Sequence, residues 1–392
     1  MLAVSACHAA RQPAAGARSA LPTSASTFDS LWAVAALGES DAWAVGTRVL
    51  GPGASFPLTE HWDGQSWKVV PSPSHPPGIR GQTRSSLDAV AVDAPDDAWA
   101  VGHWSAANQV PPEQALIEHW NGTKWSVVPG PRSGGQATDL TAVAAISPKQ
   151  AWAIGYGTVR GRASMVFMGW NGTSWRHLPS PIGTFPGGLA VISASDIWLA
   201  GEEGAKKSAA TYHTVLEHWD GSKWKIVPAP NQSKGGTSNV SLSAAGGSSS
   251  SNVWAVGHYQ PGQNGSDVSP LVEHWNGSKW QLQKSQAPTS ARGQTGFDAI
   301  AALSGSCAFA VGSAWSSNGP IPLIERWDGT RWTAMTSGLR PGVTGPTLDG
   351  VAAVHPSYAW AVGDAYTQGN RSITLIEKWN GSAWQQVPSP NP

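Results

Sequence analysis

The sequence is short of charge, of cysteine and of long apolar runs. Only 13% of its 392 residues are charged, with Lys plus Arg and Asp plus Glu equal at 25 each. A chain without net charge lacks the broad basic field of a nucleic-acid binder, so no nucleic-acid partner is expected. Two cysteines, Cys7 and Cys307, cannot supply a disulfide framework. No apolar run approaches the roughly 20 residues of a membrane-crossing helix. A nucleophile elbow, a phosphate loop and a Gly-rich dinucleotide motif are all missing. No His/Cys/Asp cluster stands at metal-ligand spacing. The expectation is therefore no cofactor and no metal, and catalysis has no motif behind it. What the chain does have is Gly, Pro, Ser and Thr in abundance, a turn-rich and sheet-rich composition, and 23 tryptophans.

The tryptophans follow a refrain. "EHWNGTKW" from Glu118 recurs as "EHWDGQSW" from Glu60, "EHWDGSKW" from Glu217 and "EHWNGSKW" from Glu273. Looser copies are "ERWDGTRW" from Glu325, "EKWNGSAW" from Glu377 and "MGWNGTSW" from Met168, the last without the acid and the histidine. The first Trp of each copy falls at 62, 120, 170, 219, 275, 327 and 379, with gaps of 58, 50, 49, 56, 52 and 52. A fixed phrase at about 50 residues with elastic gaps is the mark of propeller blades. Upstream of each refrain stands a phrase like "DAWAVG" from Asp41 and Asp97, preceded by one like "LDAVAV" from Leu87. Downstream stands "KVVPSP", "SVVPGP" or a relative. Four phrases per repeat predict four short strands, a to d.

Strands c and d are joined by Asp-Gly or Asn-Gly, the strongest short hairpin signal, and Pro ends strand d as an edge strand allows. A two-residue loop at Asn121-Gly122 would pair Glu118 with Trp125 and set Trp120 and Trp125 diagonally on one face. With the strand b Trp, three indoles per blade would pack against the next blade. The competing reading is seven identical sugar-stacking sites. The repeat resembles kelch-type β-propellers, which carry an aromatic on strand c and a Trp on strand d. It departs from them in having one Gly after strand b, not two. The "DGxxW" turn resembles the Asp-box of sialidase-like propellers without its opening Ser or Thr. Phrases such as "DAWAVG" and "EHWNG" resemble secreted, Trp-dense actinobacterial propellers. The resemblance runs from about residue 29 to the end and implies fold, not function.

The expected architecture is an all-β, seven-bladed propeller with four antiparallel strands per blade. Its blades would cover 29–73, 86–131, 139–181, 188–230, 239–285, 296–338 and 347–390, behind an Ala/Ser/Pro-rich tail at 1–28. Cys7 ends "VSAC", which resembles a lipoprotein lipobox, although only "MLA" precedes it. Either the true start lies upstream or the match is chance. With a lipid on Cys7 the chain would be tethered to a membrane; with or without it, an extracellular or cell-surface monomer is expected.

The ab and cd turns share one face and are monotonous; the bc and da loops share the other and vary. Variation on a rigid frame suggests function. Twelve of the 25 basic residues fall in bc or da loops, including Arg48, Arg80, Arg132, Arg160, Arg292 and Arg371. Asp41, Asp97, Asp63 and Asp220 sit by the other face. A basic variable face opposite an acidic one would favour an anionic partner. Where strand b emerges, the residues are not repeated: His103, Trp104, Tyr156, Glu202, His258, Tyr259, Trp315, Asp364 and Tyr366. Aromatics beside hydrogen-bonding groups predict a saccharide platform. Trp104 and Trp315 stand foremost because they belong to no repeat position, unless each packs its own loop. Asp88, Asp298 and Asp349 would gather near the channel mouth, holding a cation or water or capping the da turn. The expected function is binding of carbohydrate or an anionic wall polymer. The alternatives are a glycan-active hydrolase or lyase, for example through Glu202 and Asp364, and a protein-binding scaffold.

Overall fold

The computed structural model describes residues 28–51, 54–77, 83–106, 113–131, 138–159, 162–181, 185–204, 212–230, 239–260, 268–287, 295–316, 319–369 and 371–390. The tail expected at 1–28 lies, except for Phe28, outside the described residues, and so does Cys7. The described residues form 28 strands in seven consecutive sets of four. In the first set, β1 (Phe28–Gly38), β2 (Asp41–Val49), β3 (Ser55–Trp62) and β4 (Trp67–Val69) pair in chain order, each antiparallel to the last. The other six sets repeat this meander, and one parallel bridge, Ser55 to Arg84, joins the first two sets into an eight-stranded sheet. Each set packs face to face on the next. The chain is a seven-bladed β-propeller, as the repeats predict.

The cd hairpin has a wider turn than expected. Trp120 pairs directly with Trp125, and Glu118 with Val127. The loop therefore holds four residues, Asn121 to Lys124, and not two. The Asn121 Oδ1 accepts the backbone N–H groups of Thr123 and Lys124 at 3.1 and 3.0 Å, so the side chain closes the turn. Gly122 takes φ 86°, which is why glycine follows the Asn or Asp every time. The two indoles thus face each other across one rung, 5.9 Å apart.

Their partner is the strand b Trp of the preceding blade. Trp43 of blade 1 lies 4.8 Å from Trp120 and 5.0 Å from Trp125 of blade 2, the second contact edge-on at 84°. The same trio recurs from blade to blade, with Phe309 replacing Trp at the sixth seam, 5.8 Å from Trp384. At the third seam Phe167 takes up Trp219 and Trp224 at 5.6 and 5.0 Å. Edge-on indole pairs contribute about 0.5–1.5 kcal/mol beyond the area they bury. Twenty of the 23 tryptophans are thereby building material, and the reading of seven sugar-stacking sites falls. On the outer side of the seam, His61, His119, His218 and His274 lie against Trp43, Trp99, Trp198 and Trp254 at 4.0–4.5 Å.

The acid of the refrain is a second seam element. Glu60, Glu118, Glu217, Glu273, Glu325 and Glu377 are all at most 1% exposed. The partner sits five residues after the strand d Trp of the preceding blade. Ser72 Oγ donates to Glu118 at 2.6 Å, Ser285 to Glu325 at 2.6 Å, Ser389 to Glu60 at 3.1 Å, and Ser337 to Glu377. At the second seam both members change, Gly130 facing blade 3 with its apolar Met168. At the fourth seam only one changes: Ala229 stands in the Ser position, and neither carboxylate oxygen of Glu273 has a hydrogen-bond partner among the described residues.

Among the described residues, the ring closes without exchanging a strand. Trp360 of blade 7 lies 4.9 Å from Trp62 and 5.1 Å from Trp67 of blade 1. Tyr358 donates to the Glu39 carbonyl at 2.6 Å, and Ser372 to the Asp29 carbonyl at 3.0 Å. The closing seam is one more copy of the others.

Burial raises Glu60 to about 7 and Glu118 and Glu273 to about 8, from an ordinary value of 4.5. The folded ring then holds more protons than the unfolded chain, so its stability falls as pH rises from about 4.5 to about 8. Ala229→Ser should supply the missing donor, raising stability by about 1 kcal/mol and reducing that fall. Thermal melts at pH 5 and pH 8 check both; an unchanged fall would remove Glu273 as a source.

Candidate functional site

The bc/da end of the channel is shaped by a bulge repeated in every blade. In blade 2, β5 (Thr83–Ala94) pairs with β6 (Asp97–Ala106) through Leu87–Gly102 and then Ala89–Val101, leaving Asp88 as the extra residue. The same slip leaves Trp32, Thr141, Gly187, Ser243, Asp298 and Asp349 in the other blades. The bulged backbone crowds strand b: a Cβ on Gly102 would lie 2.2 Å from the Ser86 carbonyl oxygen. Across the seven blades that distance is 1.9–2.5 Å, which explains the glycine ending every strand b phrase.

The residue after that glycine differs in every blade except for one repeated type: Thr47, His103, Tyr156, Glu202, His258, Ser313 and Asp364. Several reach the next blade. Asp364 accepts from Ser30 Oγ of blade 1 at 3.0 Å and from its own blade's Thr347 at 3.2 Å. Tyr156 faces Phe185 of blade 4, with ring centroids 6.4 Å apart. His258 lies over Gly296 of blade 6, where a Cβ would come within 2.9 Å of its own. Burial lowers the pKa of His258 and so favours its neutral form.

The most concentrated chemistry joins blades 2 and 3. His103 Nδ1 lies 3.3 Å from Asp88 Oδ2 and 3.2 Å from Asp139 Oδ1. The remaining oxygens are held as well: Ser86 Oγ donates to Asp88 Oδ1 at 2.8 Å, and the Tyr156 hydroxyl to Asp139 Oδ2 at 2.7 Å. Asp88 and Asp139 are buried, while the His103 side chain stays 26% exposed. Burial works against a charged imidazole, but hydrogen bonds and charge from Asp139 and Asp88 override it, and His103 is pushed up to about 11. Burial and the Asp139 charge raise Tyr156 far above its usual range, keeping it a neutral donor. The expectation that no metal-ligand cluster exists is corrected here. One ligand atom from each of Asp88, His103 and Asp139 lies within 4.8 Å of the others. The residues are 15 and 36 positions apart, so only the blade-to-blade approach assembles them.

The other expected residues divide. Trp104 is buried, 7% exposed, in the core with Leu87, Leu116 and Trp125, and its place in a sugar platform is withdrawn. Register explains it: strand b runs on to Ala106, and Trp104 pairs with Ser85 and Gln114 inside the sheet. Tyr259 packs against the cluster of blades 4 and 5. Glu202 is buried, 4% exposed, and pairs with Phe185 and Thr214 in the sheet. Trp315 and Tyr366 reach the rim. Trp315 pairs with Pro320, and Gly345 lies between that proline and the Tyr366 ring. Tyr366 is 36% exposed and Trp315 half-buried. Arg371 is exposed and acts with Arg48 on buried Asp29 of blade 1. Arg160 lies outside the described residues.

The expected polarity of the disc falls only in part on the described residues. On the repetitive face the acids are met locally: His61 and His218 lie 2.9 Å from Asp41 and Asp196, and Lys68 and Lys225 lie 2.5 and 2.8 Å from Asp63 and Asp220. On the variable face, Asp29, Asp88, Asp139, Glu202 and Asp364 make the described part of the mouth carboxylate-rich. Arg80, Arg132 and Arg292 of the expected basic loops lie outside the described residues.

No family profile matches this chain, and no curated protein matches it in sequence. Among solved structures it is similar in fold to the β-propeller domain of the Trilobed protease from Pyrococcus furiosus, described as having an open velcro topology. There the TM-score is 0.56 at 9% identity, covering 94% of this chain and 100% of that one. A PL25 ulvan lyase bound to a sulfated disaccharide repeat gives 0.55 at 8% identity, covering 91% and 97%. The GH74 xyloglucanase from Xanthomonas campestris gives 0.56 at 14% identity; 92% of this chain spans 54% of that enzyme. These likenesses establish a β-propeller repeat protein.

Trp104→Ala should destabilise the ring by about 3 kcal/mol or more, as loss of a core indole does. Tyr366→Ala should stay within about 0.5 kcal/mol. Denaturant titration of the two variants checks the division between core and rim.

Proposed function

We propose that this chain is an extracellular or surface-tethered, kelch-like binding propeller that holds carbohydrate on its bc/da face, across the channel mouth. One observation carries the reading. Blades that repeat one another along the seams diverge at the position after the strand b glycine, and the residues there are hydrogen-bonding groups at the bc/da end of strand b. Packing alone would let these seven positions repeat as the tryptophans do. The Trp315–Tyr366 rim offers ring faces for apolar sugar faces, and the mouth carboxylates would take a sugar hydroxyl only in exchange for a donor they now hold. That combination suits a neutral, hydroxyl-rich glycan. An anionic polymer would meet Asp29, Asp88, Asp139 and Asp364 as like charges and would have to rely on the loop arginines.

A second reading, a glycan-active hydrolase or lyase, draws on the convergence of two carboxylates, an imidazolium and a tyrosine hydroxyl at Asp139. A protein-binding scaffold remains the third.

The test is binding of the purified chain to neutral and acidic glycans at low and moderate salt. The expected result is salt-insensitive binding to neutral glycans, weakened roughly tenfold by Trp315→Ala or Tyr366→Ala, as loss of about 1.4 kcal/mol of stacking requires. Salt-sensitive binding to acidic glycans alone would return the case to the arginine loops. Silence across all glycans would favour a protein partner, and turnover of a bound glycan that is lost in Asp139→Asn would favour the enzyme.

A further inference from the structure

We propose that Asp88, His103 and Asp139 form a binding site for one divalent transition-metal ion at the channel mouth, between blades 2 and 3. The site does not depend on the carbohydrate reading. Two ligands held about 2.1 Å from one ion at roughly tetrahedral or octahedral angles lie about 3.0–3.4 Å from each other. His103 Nδ1 stands at 3.3 Å from Asp88 Oδ2 and 3.2 Å from Asp139 Oδ1. Those two spacings suit a shared ion as well as a shared N–H, and the two carboxylate oxygens, within 4.8 Å of each other, would close on it from either side.

The outer partners are in place. Each carboxylate presents one oxygen to His103 and has the other held by a hydroxyl, Ser86 on Asp88 and Tyr156 on Asp139. Hydrogen bonds of this kind orient metal ligands and commonly change affinity 10–100-fold. The ion would take the place of the proton on His103 Nδ1, which leaves to solvent on binding, and the two carboxylates then balance a 2+ charge. One nitrogen and two oxygens suit Zn²⁺, Mn²⁺ or Fe²⁺ better than the all-oxygen preference of Ca²⁺ or Mg²⁺. The partial exposure of His103 leaves further coordination positions open towards solvent.

Blade packing does not explain the trio. Its three positions are a bulge residue, the residue after the strand b glycine, and the facing strand a residue of the next blade. Across the closing seam the same positions hold Asp349, Asp364 and Ser30, with a hydroxyl where the ring would need a third ligand. Between blades 1 and 2 they are Trp32, Thr47 and Ser86, with no carboxylate or imidazole at all.

The test is titration of the metal-stripped full chain with Zn²⁺ by calorimetry, and with Co²⁺ by visible absorption, which reports nitrogen and oxygen ligation directly. One equivalent of each should bind saturably. Asp139→Asn should abolish binding, and Tyr156→Phe should weaken it 10–100-fold. If Asp139→Asn fails to fold, Tyr156→Phe and Ser86→Ala carry the test, since each keeps all three ligands. Absence of saturable Zn²⁺ binding by the parent chain would overturn the proposal. So would binding that is unchanged in both Tyr156→Phe and Ser86→Ala.

Discussion

Everything in this molecule hangs on the contact between one blade and the next. A four-stranded sheet cannot shield two apolar faces by itself, and no strand among the described residues is exchanged to tie the ring. The burden falls on an indole from strand b wedged against two indoles of the following hairpin, repeated until the last blade meets the first. Flat, wide side chains suit this role because they fill a wedge-shaped gap with few rotatable bonds. The buried glutamates sharpen the contact. A carboxyl removed from water is costly unless a donor meets it, so each Glu–Ser pair favours one particular alignment of neighbouring blades over a slipped one.

The same seam generates the site. Because the strand a bulge pushes an extra residue towards the opening, the residue after the strand b glycine comes within reach of the next blade. Repetition along the seams thus fixes a ring of positions whose chemistry is free to vary. At Thr47 and Asp364 the result is a single hydroxyl or carboxylate contact with the next blade. At one, two acids, an imidazole and a phenol converge.

Much of the fold could be read from residue order, and the reasons are physical. Indoles, turn glycines and edge prolines each have few acceptable environments, so their spacing implied blades directly. The hairpin register was misread because the sequence shows Asn-Gly but not that the Asn121 side chain closes a wider turn. The refrain's glutamate passed unremarked, since a charged residue in an amphipathic phrase reads as a solvated one. Its signal was available in the covariation of Gly130 with Met168, where acid and hydroxyl vanish together. Of the candidate site, the ring of unlike residues was legible as a departure from repetition. Which of them would be buried was not: Trp104 is the second residue after its strand b glycine, a buried position that Ala314 and Ala365 fill elsewhere, while Trp315 is the third and turns to the opposite face. The trio at His103 was invisible, as its members come from different strands of two blades.

The alternation of glutamate on one blade with serine on its predecessor also limits how such a chain can be rearranged. A blade carrying both, such as blade 6 or blade 7, is self-compatible and could be duplicated in tandem without leaving an acid unmet. Blade 2 is not, since it keeps Glu118 but ends in Gly130, and only blade 3, which begins with Met168 and returns to Ser180, can follow it without an unmet acid. Placing an ordinary blade between them would bury a carboxylate against a glycine. In the grammar of this ring those two blades are a single word, to be inherited, copied or grafted together.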